Sequence, residues 1–225
     1  IREEVVDMFG WSAERISVVP LGVDARFHPR EEAETAPFLR TAGLTHGQYA
    51  LCVATIEPRK GIDNLLAGYE QLPPALRHAF PLVLAGGRGW LSDTLHEQVN
   101  RAVDAGWVRY LGYVADEHLP LLYAGARVSC LLSKYEGFGL PILESMASGV
   151  PVVCSNLSSL PEVGGDAACY VEPGDDQAVS TALRQFLEEP AAMSRAKASG
   201  LNRAQQFSWK TCARNTVHAY QQIGG

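Results

Sequence analysis

From Tyr49 to about Glu188, short apolar runs alternate with stretches whose apolar residues recur at helical spacing. The runs are YALCVA (49–54), PLVLA (81–85), VRYLG (108–112), VSCLL (128–132) and VPVVCS (150–155). Most are apolar throughout rather than alternating, as in strands covered on both faces. Between them, IDNLLAGYEQL, SDTLHEQVNRAVDAG, DEHLPLLYAGA and LPILESMASG carry the three-and-four spacing that predicts helices. Such alternation implies right-handed crossovers and an α/β fold with a parallel, doubly wound sheet. A strand at ISVVP (16–20) is expected before the series, and one at ACYVEP (168–173) after it. Ser92 or Asp93 and Asp116 are the expected N-caps, and Gly149 closes a helix before Pro151. Three helical stretches follow Asp175, the last over 208–223, while residues 25–48 read as the loosest segment.

Composition narrows the class. The 225 residues are 47% hydrophobic and 20% charged, an ordinary globular balance that supports one core without staples. The net charge is −6, and the densest run of like charge is Glu31, Glu32 and Glu34, so a basic nucleic-acid footprint is missing. Arg59-Lys60 is the one adjacent basic pair, which makes it the place to expect a focused positive site. No apolar run approaches the length of a membrane span, and the start lacks the apolar stretch of a signal peptide. Five cysteines without CxxC spacing read as buried free thiols of a cytoplasmic protein. The chain begins at Ile1 rather than Met, as a fragment or processed chain would.

Ligands of doubly wound sheets bind where strands end and helix amides face outward. That directs attention to the turns after Ala54, Ala85, Gly112 and Leu132. In KYEGFGLPILE (134–144), Gly137 and Gly139 allow close backbone approach, and Pro141 suits a first helical turn. Glu136 and Glu144 are eight positions apart, so they can serve different parts of one elongated ligand; a carboxylate facing vicinal hydroxyls accepts two hydrogen bonds. The same residues also fit a plain glycine turn with a capping acid and a surface glutamate. In ATIEPRKGIDNLL (54–66), two cations before a helix suit a diphosphate, or simply a solvated surface. LAGGRGW (84–90), with Gly86, is a flexible turn or a loose approach to phosphates. The G-x-G-x-x-G and phosphate-loop motifs are missing. So are Asp-x-Asp, histidine ligand spacing and a nucleophile elbow.

In one order, VVPLGVDARFHP, ATIEPRKG, LVLAGG, VRYLGYVADEHLPLLYAGA, SKYEGFGLPILESMASGVPVVCSNLSSLPEVGGDAA and FSW closely resemble the C-terminal half of retaining glycosyltransferases of family 4, of the GT-B fold group. The resemblance runs from about Ile16 to Ile223 and is most specific at the glutamate pair of EGFGLPILE. It implies that residues 1–225 form one Rossmann-like nucleotide-sugar-binding domain with a helical tail, the second half of a two-domain enzyme. On that reading Glu144 holds the ribose, and Glu136 lies near the donor hexose. The amides of Gly137, Phe138, Gly139 and Leu140 border sugar and phosphates, Lys60 meets the diphosphate, and the backbone at Tyr113 and Val114 faces the base. Two positions depart from the family: Thr55 stands where many members carry Arg, with Arg59 the candidate replacement, and Leu21 stands where many carry Asn.

The resemblance therefore implies a metal-independent hexosyltransferase without a bound cofactor, using a GDP- or UDP-linked sugar as substrate. The EPRK segment is similar to bacterial mannosyltransferases of surface polysaccharide assembly, which puts mannose from GDP-mannose first. The acceptor, a glycan or lipid-linked glycan, is expected on the other domain, with the full enzyme cytoplasmic and peripheral at the inner membrane face. A non-catalytic nucleotide-sugar-binding module, and a GT-B epimerase or pyridoxal-phosphate phosphorylase, are the alternatives. The irregular stripe of Trp209, Cys212, Val217, Tyr220 and Ile223 belongs to a helix that crosses between domains in this family. Part of it is expected to be exposed here, or covered by another copy of the chain.

Overall fold

The computed structural model describes residues 1–223. The elements run α1 (Arg2–Phe9), α2 (Glu32–Thr41), β1 (Ala50–Val53), α3 (Ile62–Glu70), α4 (Pro74–Ala79), β2 (Leu82–Ala85), α5 (Asp93–Asp104) and β3 (Val108–Gly112). They continue with α6 (Leu119–Ala124), β4 (Val128–Leu131), α7 (Leu140–Ala147), β5 (Val152–Ser155), α8 (Leu160–Gly164), β6 (Cys169–Val171), α9 (Asp176–Glu188), α10 (Pro190–Ala204) and α11 (Trp209–Ile223).

The six strands form one sheet in the order β3-β2-β1-β4-β5-β6, and every pairing is parallel. The order reverses between β1 and β4, which opens a crevice at their carboxyl ends. The continuous apolar runs are explained by burial on both faces: β2, β4 and β5 are buried at every position. Cys52 in β1, Cys130 in β4 and Cys154 in β5 are buried free thiols, and burial pushes Cys52 up to about 12.

Several expectations need correction. Residues 16–20 form no strand: an apolar run becomes one only beside a hydrogen-bonding neighbour, and Val18 lies exposed. The segment 25–48 contains α2, closed by a capping box in which the side chains of Glu31 and Glu34 serve each other's amides. Asp116 caps nothing, because α6 begins three residues later, after a turn in which the His118 amide donates to the Ala115 carbonyl at 2.9 Å. Ser92 does occupy the N-cap of α5, but its hydroxyl donates backward to the Gly89 carbonyl at 2.8 Å. Gly149, by contrast, takes the left-handed conformation just after α7.

The two ends of the chain stand apart from this core. Neither α1 nor α11 has a fully buried side chain among those described. Trp209 is 48% and Tyr220 71% exposed and Val217 is exposed too, so most of the described stripe on α11 is uncovered, while Cys212 is half-buried. The side chain of Ile223 lies outside the described residues. What ties α11 down is its start, where Val23 pairs with Ser208 and the Val23 amide donates to the Phe207 carbonyl at 3.3 Å. Gly22 is required there, since a Cβ would collide with the Trp209 amide.

Candidate functional site

The loops after β1 and β4 flank the crevice and are strapped together. The Lys134 amide donates to the Arg59 carbonyl at 2.8 Å. Gly61 adopts a left-handed conformation (φ 64°), and a Cβ at this position would collide with the Leu132 carbonyl. Only glycine permits both the turn and the contact. The Pro58–Lys60 turn is thereby held against the end of β4.

This brings Arg59, Lys60 and Glu136 together. Lys60 Nζ donates to Glu136 Oε1 at 2.7 Å, and Ser133 Oγ donates to the same oxygen at 2.7 Å. Arg59 approaches Glu136 Oε2 at 3.6 Å, donates to Glu57 Oε1 at 2.7 Å and donates to the Tyr135 carbonyl at 2.8 Å. Glu136 is only 8% exposed, and its own carbonyl accepts from Ser158 Oγ (2.7 Å) and Ser159 Oγ (2.8 Å). A buried carboxylate needs such full pairing. Arg59 thus lies beside Lys60 at the Glu136 carboxylate. Glu57, Ser133, Ser158 and Ser159 do not stand out in the sequence: Glu57 sits two positions before Arg59, and the serines read as ordinary turn residues.

Just beyond Glu136 the chain enters α7. Gly139 is its N-cap at φ 103°, and Pro141 occupies the first turn. The amides of Gly137, Phe138, Gly139 and Leu140 donate to no carbonyl among the described residues, as expected at a helix N-terminus open to a ligand. A Cβ added at Gly137 would meet nothing within 4 Å, so the space before α7 is open. Phe138 is fixed edge-on against Phe207, with ring centroids 5.9 Å apart.

Glu144 lies one turn inside α7 and is half-buried. Burial raises its carboxyl above the usual carboxylate range; Asp116 and Asp24 push the same way, while Tyr123 and Arg26 oppose them. The structure therefore places the two glutamates in separate surroundings. The Gly86 amide is already engaged, donating to the Gly112 carbonyl at 2.7 Å. Its glycine serves close approach, because a Cβ would collide with the Ala54 carbonyl. Tyr113 is exposed and Val114 half-buried in the turn that follows β3.

A parallel sheet in this strand order, with a basic turn and an open helix N-terminus at its switch point, defines a ligand-binding domain of the Rossmann class. The chain belongs to the glycosyl transferases group 1 family, whose model matches residues 43–203. It is 47% identical over 220 residues to the O-antigen chain mannosyltransferase B of Escherichia coli, covering 98% of this chain and 58% of that protein. It is 32% identical over 223 residues to the MMP alpha-(1->4)-mannosyltransferase of Mycolicibacterium hassiacum, covering 97% of this chain and 51% of that protein. Among solved structures, Anabaena HepE in complex with UDP and glucose superimposes with a TM-score of 0.84 at 21% identity, covering 96% of this chain and 59% of HepE. The chain thus spans a little over half the length of these relatives, and its fold is that of the GT-B C-terminal domain. Among the described residues no helix is long and apolar enough to cross a membrane.

Proposed function

We propose that this chain is the donor-binding part of a retaining glycosyltransferase and holds a nucleoside-diphosphate sugar in the crevice between β1 and β4. The observation that carries this reading is the meeting of the Lys60 ammonium with the open N-terminus of α7 across Glu136. A diphosphate placed there faces two side-chain cations and a row of amides. These groups stabilise the departing nucleotide as its charge grows, without a divalent metal. Glu144 accepts the ribose hydroxyls, Glu136 faces the hexose, and the backbone at Tyr113 and Val114 meets the base.

The mannosyltransferase names of the two relatives support mannose as the hexose, carried by GDP, and the 47% identity gives the first of them most weight. The acceptor, a glycan or lipid-linked glycan, is held by a further domain against which α1 and α11 lie. Their uncovered apolar side chains and the greater length of the relatives support that arrangement. Titration of the chain with GDP, UDP, GDP-mannose and UDP-glucose in the presence of a chelator tests the reading. Binding of GDP and GDP-mannose is expected, and failure of all four ligands to bind would overturn it.

A further inference from the structure

Tyr123, on α6, is fully buried with its ring edge-on to Phe27, the centroids 5.6 Å apart. Its hydroxyl has no hydrogen-bond partner at bonding geometry among the described residues. A phenylalanine would fill the same space without stranding a polar atom, so packing does not account for the hydroxyl. The helix that carries Tyr123, α6, packs against α7, which carries Glu144. Glu144 is the carboxylate that bears on the phenol: burial raises the phenol first, Glu144 raises it further, and the phenol in turn lowers Glu144. The other charges that face Glu144 are Asp116, Asp24 and Arg26. Of these, Arg26 is taken by Asp24 at 3.2 Å. A half-buried carboxylate that must remain ionised while it accepts hydroxyl protons needs a donor of its own, and Tyr123 is the uncommitted one.

We infer that Tyr123 is a positioning residue for Glu144. When a nucleotide draws one carboxylate oxygen onto vicinal ribose hydroxyls, the phenol donates to the other oxygen, fixing the carboxylate's orientation and holding it ionised. Phe27 keeps the phenol in place, at the end of a loop pinned to the start of α11 through Val23 and Ser208. The inference rests on the ribose role proposed for Glu144.

The test is calorimetric titration of the 225-residue chain and its Tyr123→Phe and Glu144→Gln variants with GDP and with 2′,3′-dideoxy-GDP. Tyr123→Phe is expected to weaken GDP about tenfold, as loss of a hydrogen bond to a charged group does. Dideoxy-GDP should be nearly unaffected, and the thermal midpoint of the free chain should hold or rise. The acid limb of GDP binding should move to higher pH in this variant, because losing the donor raises the Glu144 carboxyl. Glu144→Gln should erase the preference for GDP over dideoxy-GDP. If Glu144→Gln binds both probes as the wild type does, the ribose role itself fails. If it erases the preference while Tyr123→Phe leaves GDP unchanged, or weakens both probes equally, the ribose role stands and the inference is overturned. Should Tyr123→Phe misfold, site-specific 3,5-difluorotyrosine at 123 keeps the ring and strengthens the donor. Tighter GDP binding with unchanged dideoxy-GDP supports the inference, and no change in either contradicts it.

Discussion

Glu136 and Glu144 flank the same helix start, yet they live in opposite surroundings. Glu136 is buried with its charge matched by Lys60 and Arg59 and steadied by Ser133. Glu144 is half-buried, faces Asp116 and Asp24, and sits beside a phenol whose hydroxyl has no partner at bonding geometry among the described residues. One carboxylate is already satisfied and stabilises the loops it joins. The other is held in a charged state that burial disfavours. Residues that cost stability in the free protein are the ones to suspect of recognition.

The comparison breaks most sharply at Lys60. Removing this cation strands Glu136 with only the more exposed Arg59 to balance it. Lys60→Ala should lower unfolding stability by about 3 kcal/mol, as when one partner of a buried pair is lost. It should also weaken GDP by about 1.5–3 kcal/mol, the range for a charged hydrogen bond. Chemical denaturation and calorimetry read the two effects separately. An unchanged GDP affinity in a folded variant would remove Lys60 from the site.

Glu136→Gln should lower stability by about 1–3 kcal/mol, less than Lys60→Ala because the amide oxygen still accepts from Lys60 and Ser133. The structure also revises what this variant should do to ligands. An incoming phosphate must share Lys60 with Glu136, so removing the negative charge should tighten GDP severalfold, while GDP-mannose, deprived of the hexose contact, should not gain. Equal gains for both ligands would place Glu136 away from the sugar.

Glu144→Gln should act with the opposite sign on stability. A carboxyl raised in the folded state binds its proton more tightly there than in the unfolded chain, so stability falls as pH rises from the ordinary carboxylate value through the raised one. The glutamine variant should therefore unfold at a higher temperature than the wild type at pH 7. The gain should disappear at acid pH, where Glu144 is protonated in both states. A lower midpoint at pH 7 would mean that Glu144 is paired after all. The smallest effect belongs to the uncovered tail: Tyr220→Ala should change unfolding stability by no more than about 0.5 kcal/mol, as at an exposed site without partners.

The sheet could be read from the sequence because burial on both faces leaves a continuous apolar signal, and five runs mark five strands. The shorter run at 16–20 is also largely apolar but forms no strand, since hydrogen-bonding neighbours are a tertiary property. Helix α2 does not show in the sequence because charge and an internal Pro37 mask its periodicity; the Glu31 and Glu34 spacing is the signal that marks it. At the site, Lys60, Glu136 and the two glycines before α7 stand out by residue type and position. Their mutual pairing does not, because Lys60 and Glu136 are 76 residues apart and meet only through the β1–β4 adjacency. Glu57, Tyr123 and the three serines are ordinary residue types made important by what surrounds them.

The central claim is that the crevice between β1 and β4 binds a nucleoside diphosphate through side-chain cations and the amides of α7. The most direct measurement is calorimetric titration of the wild-type chain and of Lys60→Ala with GDP in excess chelator. The account predicts saturable one-to-one binding by the wild type without metal, weakened at least tenfold in Lys60→Ala. Binding that requires a divalent ion, or that is equal in the two proteins, would contradict it.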